Sequence, residues 1–459
     1  MRKPHLFFVI VLVYSLFAFG CQKDGNPKAK KRLGKPNKTK TVSQRPKVKV
    51  PRVQVKIDNN KINEAFRQRL SSHNVDLQKA KQAATNSNAF GIQLLQQLAK
   101  KNQTKNVFLS PYSLSTALAM TMVGAGGDTL KEMKKTLAVP GNANEHHQGL
   151  FELSSWLYQS KSQYKYQLEV ANRIWVERTT PPQAVFVNTV KRHYGPGFQQ
   201  ADFIQNFREE HKKINSWANK QTQGMIPELL PSGALSPSTR MVLTNAIFFK
   251  GNWKYKFKTK YTKKRTFYGP SDKTKIMTMY QQGKFMHAYI KGGHVLELPY
   301  QHGKTSMVVF LPYKSNKNWR STWLSPSLLS RALKKMRKKK VKVFLPRMKL
   351  KTGYKLKPNL KAMGMQSAFL KRANFRKMLV PNGLTTDVKI KDVFHKGALE
   401  VDEKGTKAAA ATAVVMKTKR SMRKPKVVVF RVNRPFLLLL RERKTNTYLF
   451  AGCITNPNG

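Results

Sequence analysis

Hydrolytic and transfer chemistry draws on carboxylates, histidines, cysteines or an activated hydroxyl. This chain is poor in the first. Its 459 residues hold 22 Asp and Glu against 87 Lys and Arg, and no pair of acids stands out for general acid–base work. No Gly-x-Ser-x-Gly turn offers a nucleophilic serine. Gly124-Ala125-Gly126-Gly127-Asp128-Thr129 is glycine-rich. No Lys-Ser/Thr follows it and a helical pattern precedes it, so it is not a phosphate loop. His146-His147 lacks Cys or acids at ligand spacing and reads as the solvated start of a helix. The expectation is a protein that is not an enzyme, with no cofactor and no metal. Any reaction would be done to it by a partner.

One stretch suits such a role. Gly405-Thr406-Lys407-Ala408-Ala409-Ala410-Ala411-Thr412-Ala413 is built almost wholly from small residues. A permanent core strand favours Val, Ile or aromatics, whereas a segment that must slide into a tight slot favours small ones. In strand alternation Thr406, Ala408, Ala410 and Thr412 share the inward face, and Lys407 lies on the other. Gly405 permits hinge angles. On propensity alone an alanine-rich helix is the competing reading.

The flanks decide between them. Upstream stands Phe394-His395-Lys396-Gly397-Ala398-Leu399-Glu400-Val401-Asp402-Glu403-Lys404; downstream come Asn433-Arg434-Pro435-Phe436, an apolar strand and Phe450-Ala451-Gly452. This order resembles the serpin signature over about residues 80 to 457. The resemblance implies a mixed α/β fold: one domain with a large sheet, two smaller sheets, about nine helices and an exposed reactive loop, here about 405–426. It also implies a mechanism. A serine protease attacks the loop and forms an acyl-enzyme. The freed hinge inserts into the large sheet and the protease is trapped before deacylation. Spacing from Glu403 places Lys419 before the scissile bond; Arg420-Ser421 is equally natural one residue later. Either predicts a trypsin-like target in covalent complex, with the inhibitor itself a monomer.

Other segments carry the same resemblance. Ser110 and Ser113, in Asn106-Val107-Phe108-Leu109-Ser110-Pro111-Tyr112-Ser113, fall on the family's serines beneath the main sheet. They also suit a plain helix start. Leu243-Thr244-Asn245-Ala246-Ile247-Phe248-Phe249-Lys250-Gly251-Asn252-Trp253 is a second signature. Asn245 matches the shutter Asn and Trp253 the Trp at the sheet mouth; a satisfied buried amide and a core aromatic are the plainer alternatives. His395, Asn245, Ser110 and Ser113 are expected to form a polar lock where strands part. Glu403 is expected to pair with a Lys. Two departures from the family pattern are Lys407 for a Glu and Cys453 for a basic residue.

The elements that must position these residues are legible from periodicity. Asn86–Lys100 and Leu114–Val123 read as helices, Tyr166–Val176 and Met241–Phe249 as strands, and Ile214–Ile226 as a helix ending at Gly224. Thr266–Leu311 reads as a run of short strands. Ser325–Lys338 reads as a helix with Leu328, Leu329, Ala332, Leu333 and Met336 on one face. Lys334, Lys335, Arg337 and Lys338 crowd the rest. Some serpins bind heparin through a basic helix at this place. These four are the local candidates for a polyanion, either an anionic polysaccharide or nucleic acid. A solvated face is the alternative in a chain of net charge +65.

Residues 1–20 read as a signal peptide: Arg2 and Lys3, then an apolar run too short to span a membrane comfortably. Leu16-Phe17-Ala18-Phe19-Gly20-Cys21 resembles a bacterial lipobox. Cys21 would then become the lipidated first residue and attach the protein to a membrane. Residues 21–56 form a basic linker without apolar periodicity, and 57–459 a single domain. With only Cys21 and Cys453 the fold does not rest on disulfides. The expected location is extracellular or a cell-envelope lipoprotein. The remaining functional alternatives are a non-inhibitory carrier or chaperone of the same fold and a polyanion-binding surface protein.

Overall fold

A computed structural model describes residues 58–164, 166–313, 319–380, 388–406 and 427–459. Cys21, Lys407, Ala408, Ala410, Thr412, Lys419, Arg420 and Ser421 lie outside these residues.

The first half of the described chain is α1 (Asn59–Ser72), α2 (Leu77–Lys101), β1 (Val107–Leu109), α3 (Pro111–Met122), α4 (Gly127–Thr136), α5 (Ala143–Tyr164), β2 (Gln167–Glu177), α6 (Ala184–Tyr194), β3 (Phe198–Ala201), α7 (Phe203–Gln221) and β4 (Met241–Asn252). The second half is β5 (Lys263–Tyr268), β6 (Lys273–Ile290), β7 (Gly293–Pro299), β8 (Thr305–Pro312), α8 (Trp319–Trp323), α9 (Pro326–Lys335), β9 (Arg337–Pro346), β10 (Met348–Lys355), α10 (Lys357–Ala362), β11 (Ile390–Val401), β12 (Gly405–Thr406), β13 (Val428–Arg431), β14 (Phe436–Glu442) and β15 (Tyr448–Ile454).

The main sheet runs β10-β11-β4-β2-β3, with β12 added at the end of β4. Nine consecutive residues of β4, Met241 to Phe249, are buried, so this strand is covered on both faces. α3 lies against it from below and is buried along its whole length. It starts where the sequence places a start: the Ser110 side chain accepts from the Ser113 backbone N–H at 3.1 Å, and Pro111 opens the helix. α2 likewise buries the expected stripe of Phe90, Leu94, Leu95 and Leu98.

The other strands form one nine-stranded layer, β1-β15-β14-β8-β7-β6-β9-β13 with β5 beside β6. The two smaller sheets expected from the resemblance are hydrogen-bonded together here. The joint is β6, 18 residues long. It pairs with β5 and β9 along its course and with β7 from Met286 to Ile290. Phe108 of β1 stacks on Phe450 of β15 at 4.8 Å, where the layer meets the main sheet's underside.

Three local expectations change. α7 is longer upstream than read and ends at Gln221; Gly224, φ +81°, lies in the turn beyond it. The helix expected over 325–338 stops at Lys335, and Arg337 and Lys338 are the first two residues of β9. His146 and His147 do sit in the first turns of α5, but both are buried, at 5% and 2% exposure, instead of solvated.

Candidate functional site

The seam between β11 and β4 is the only parallel pair at the centre of the main sheet among the described strands. It is closed from Ile390–Met241 to Ala398–Phe248. Under it Ser110, Ser113, Asn245 and His395 meet, each at 1% exposure or less. Asn245 Nδ2 donates to Ser113 Oγ at 2.6 Å and also to Asn172 Oδ1. Ser113 Oγ donates to Asn172 Oδ1 at 3.1 Å, and Asn172 Nδ2 to the Ser113 carbonyl at 3.2 Å.

The His395 tautomer follows from its neighbours. The Ser110 backbone N–H can only donate, and it points at Nε2 from 3.3 Å. Nε2 therefore accepts, and Nδ1 carries the proton to Asn245 Oδ1. A second proton on Nε2 would face an N–H head-on. Burial lowers the imidazole pKa to about 3, against a smaller opposing effect of its Asn245 hydrogen bond. The ring lies parallel to Tyr354, whose hydroxyl accepts from the Phe108 N–H at 3.1 Å. The network thus spans β11, β4, β2 and α3. Asn172 was missed by sequence reasoning. Its signal was an amide in the middle of an 11-residue strand, where a buried amide must find partners.

At the mouth of the sheet Trp253 is 2% exposed and stacks on Tyr300 at 4.5 Å. Its Nε1 donates to the Asp402 carbonyl at 2.9 Å, and its backbone N–H to the Lys404 carbonyl at 3.0 Å. Glu403 finds an arginine where a lysine was expected. Arg347 Nη2 lies 2.7 Å from Oε1, Arg347 Nε bonds both carboxylate oxygens, and Thr262 Oγ1 donates to Oε1 at 2.6 Å. Burial alone would raise this carboxyl. Arg347 and Thr262 outweigh it and hold the group below its ordinary value. Arg347 follows Pro346 in the turn between β9 and β10, a bidentate fork that a lysine could not supply.

This anchor leads directly into β12. Gly405 pairs with Asn252 and Thr406 with Gly251, antiparallel to β4. Gly405 has φ +146°, and a Cβ there would stand 2.2 Å from the Gly251 carbonyl oxygen, so only glycine fits. The two residues of β12 therefore lie on β4 just beyond the Ala398–Phe248 end of its pairing with β11. The four basic candidates do not form one helical face. Lys334, Lys335, Arg337 and Lys338 are all exposed. Arg337 folds back onto the Lys334 carbonyl at 2.9 Å, while strand alternation turns Lys338 to the other face with Lys340 and Lys342. Lys340 stands directly opposite Lys284 on β6. Among the described residues no group of three or more His, Cys, Asp or Glu could hold a metal.

A sequence model described as Serpin (serine protease inhibitor) matches residues 85–457. Serpin B8 of Homo sapiens is 35% identical over 387 residues, covering 80% of this chain and 97% of that protein. Antithrombin-III of Mus musculus is 36% identical over 377 residues, 80% of each chain. The structure of human thyroxine-binding globulin superposes with a TM-score of 0.74 at 27% identity, covering 83% of this chain and all of that one.

Proposed function

This chain belongs to the serpin family, and from that premise we propose that it is an inhibitor that traps trypsin-like serine proteases by loop insertion. The observation that carries the reading is the start of β12 on β4, above a closed seam with a polar lock beneath it. Extended in the same register, the hinge would bring Thr412 opposite Asn245 and Met416 opposite Met241. The inserted strand would thus run the whole length of β4, with Lys419 and Arg420 just beyond its far end. A strand of about a dozen residues gains on the order of 10 kcal/mol from backbone pairing at roughly 0.5–1.5 kcal/mol per bond. The small residues from Ala408 to Ala413 enter without forcing the close-packed interior apart.

The bait supports the specificity. Lys419 and Arg420 both suit a protease whose pocket carries an acid at its base. Incubation with trypsin followed by a denaturing gel is the test. A covalent band larger than either protein is expected. Cleaved product without that band would leave a non-inhibitory carrier as the reading. The proposal also places the protein outside the cytoplasm, exported by residues 1–20 and anchored through lipid on Cys21. Intact mass of the membrane form should show acylated Cys21 as the first residue; unmodified Cys21 in a soluble product would remove the anchor. Exposed Lys334, Lys335, Arg337 and Lys338 support a polyanion contact, such as heparin, as an accessory property.

A further inference from the structure

Helix α1 lies wholly before residue 85, where the family match starts, yet it is built into the fold. Asp58 caps it through the Asn60 and Lys61 N–H groups. On one side α1 holds α5. Gln159 Nε2 donates to the Leu70 and His73 carbonyls at 2.9 and 2.8 Å, His73 Nε2 meets Glu152 at 2.8 Å, and Arg69 lies over the Phe151 ring at 4.3 Å. On the other side it holds α6 and β3. Arg69 Nη1 donates to the Arg192 carbonyl at 2.7 Å, Asn59 Nδ2 to Gln199, and Phe66 presses on Gly195. A Cβ at Gly195 would stand 2.5 Å from the Phe66 ring.

These two sides belong to different halves of the sheet movement. A strand entering between β11 and β4 pushes β4, β2 and β3 away from β11 by one strand spacing, about 4.8 Å. α6 joins β2 to β3 and travels with them. α5 packs along α2, and its Glu152 also accepts from the backbone N–H of Asp76, the N-cap residue of α2, at 2.9 Å. The displacement is therefore taken up partly where α5 meets α6, at contacts such as His147 Nδ1 to the Tyr194 hydroxyl, 2.6 Å. α1 bridges that same boundary.

We infer that α1 is a brake on sheet opening: Asn59, Phe66 and Arg69 tie the moving α6–β3 unit to the stationary α5. The tie is made to give way. Among α1 residues only Leu70 is buried, and beneath the helix Phe66 and Leu70 roof a cavity of about 180 Å³ that Met120, Leu157 and Trp217 help to line. A few directed contacts over an open pocket hold the uninserted sheet without locking it. This inference rests on the loop-insertion reading above.

The test uses the full chain and compares it with Phe66→Ala/Arg69→Ala, and with Ala65→Gly, which weakens α1 without touching its partners. Each is incubated without protease and sampled for loss of trypsin trapping and gain of urea resistance, the marks of spontaneous insertion. Both variants should convert faster, the double variant on the order of tenfold, as expected for lost native contacts that resist opening. Their ratio of trapped to cleaved trypsin should be no worse than that of the parent, which mere destabilisation would not preserve. Equal conversion rates in a parent that traps trypsin would overturn the brake and leave the inhibitor reading intact. A parent that neither traps trypsin nor gains urea resistance on cleavage would overturn both.

Discussion

At the residue scale the polar network beneath the β11–β4 seam is a set of obligations. Asn245 spends its amide on Ser113 and Asn172 and its oxygen on His395. Asn245→Ala would leave the His395 Nδ1–H and the Ser113 hydroxyl with lost partners in a buried site. A loss of about 2–3 kcal/mol is expected in urea unfolding of the intact protein. Protonation is the second way to break it. The folded His395 titrates at about 3, and so does His147, while His146 and His193 titrate at about 4; burial is the main cause in each. An unfolded imidazole titrates near 6.5, so below about that pH the unfolded chain binds more protons. Stability is complete above pH 6.5 and declines as pH falls towards 3–4, by about 1.4 kcal/mol per pH unit for each such ring. The urea midpoint should drop steeply over that window, and His395→Gln should make the drop shallower. An unchanged slope would show that His395 is not held neutral.

At the scale of elements, the proposed mechanism requires the hinge to enter as a strand. By strand alternation the inward face of an inserted hinge would begin at Thr406, so Thr406→Arg would force an unpaired charge beneath the closing sheet. That costs several kcal/mol, comparable with the gain from pairing. Attack at Lys419 or Arg420 is untouched, so the variant should become a substrate, with cleaved product replacing the trypsin complex. Lys407→Glu, which would point to the other face of an inserted strand, should change little. A Thr406→Arg protein that traps as well as its parent would end the insertion mechanism. The start of β12 was legible in the sequence: a glycine and a Glu-Lys-Gly-Thr entry are local signals. Other parts were not. Arg347 lies 56 residues from Glu403, in a turn with no marker of its own. His146 and His147 look solvated by residue type. They are buried because α6 brings Tyr194 and His193 against α5, a long-range fact that periodicity does not encode. The helix expected over 325–338 overran because Lys, Arg and Met favour a helix on propensity, and pairing of β9 with β6 overrides that preference from Arg337 on.

At the scale of the whole molecule, charge is the dominant feature. From residue 273 to residue 386 the sequence holds one acid, Glu297. It is buried and paired with Arg441 and Arg443. Heparin or single-stranded DNA should bind with affinity that falls steeply as salt rises, because neutralised anions release counterions. Replacing Lys334, Lys335, Arg337 and Lys338 by Gln should reduce both affinity and salt slope more than replacing four lysines of the 22–56 linker. Equal losses would show that the field is diffuse. The structure weakens the case for a helical site, since Lys338 faces away from Lys334 and Lys335, and shifts attention to the ladder of Lys338, Lys340 and Lys342. Like charges placed opposite each other, as Lys340 and Lys284 are, cost stability in a sheet, so a bound polyanion should also raise the melting temperature.

Cys453 has a use that its chemistry alone would not suggest. It sits in β15 between Val107 and Leu437, fully buried, and burial pushes its thiol up to about 12. If Cys21 is acylated, Cys453 is the one titratable sulfur in the mature chain, silent to alkylating reagents while β1, β15 and β14 stay paired. Its labelling rate is then a clock for opening of the nine-stranded layer. Spontaneous insertion, which parts the other sheet, should leave that clock running slowly, whereas global unfolding should start it at once.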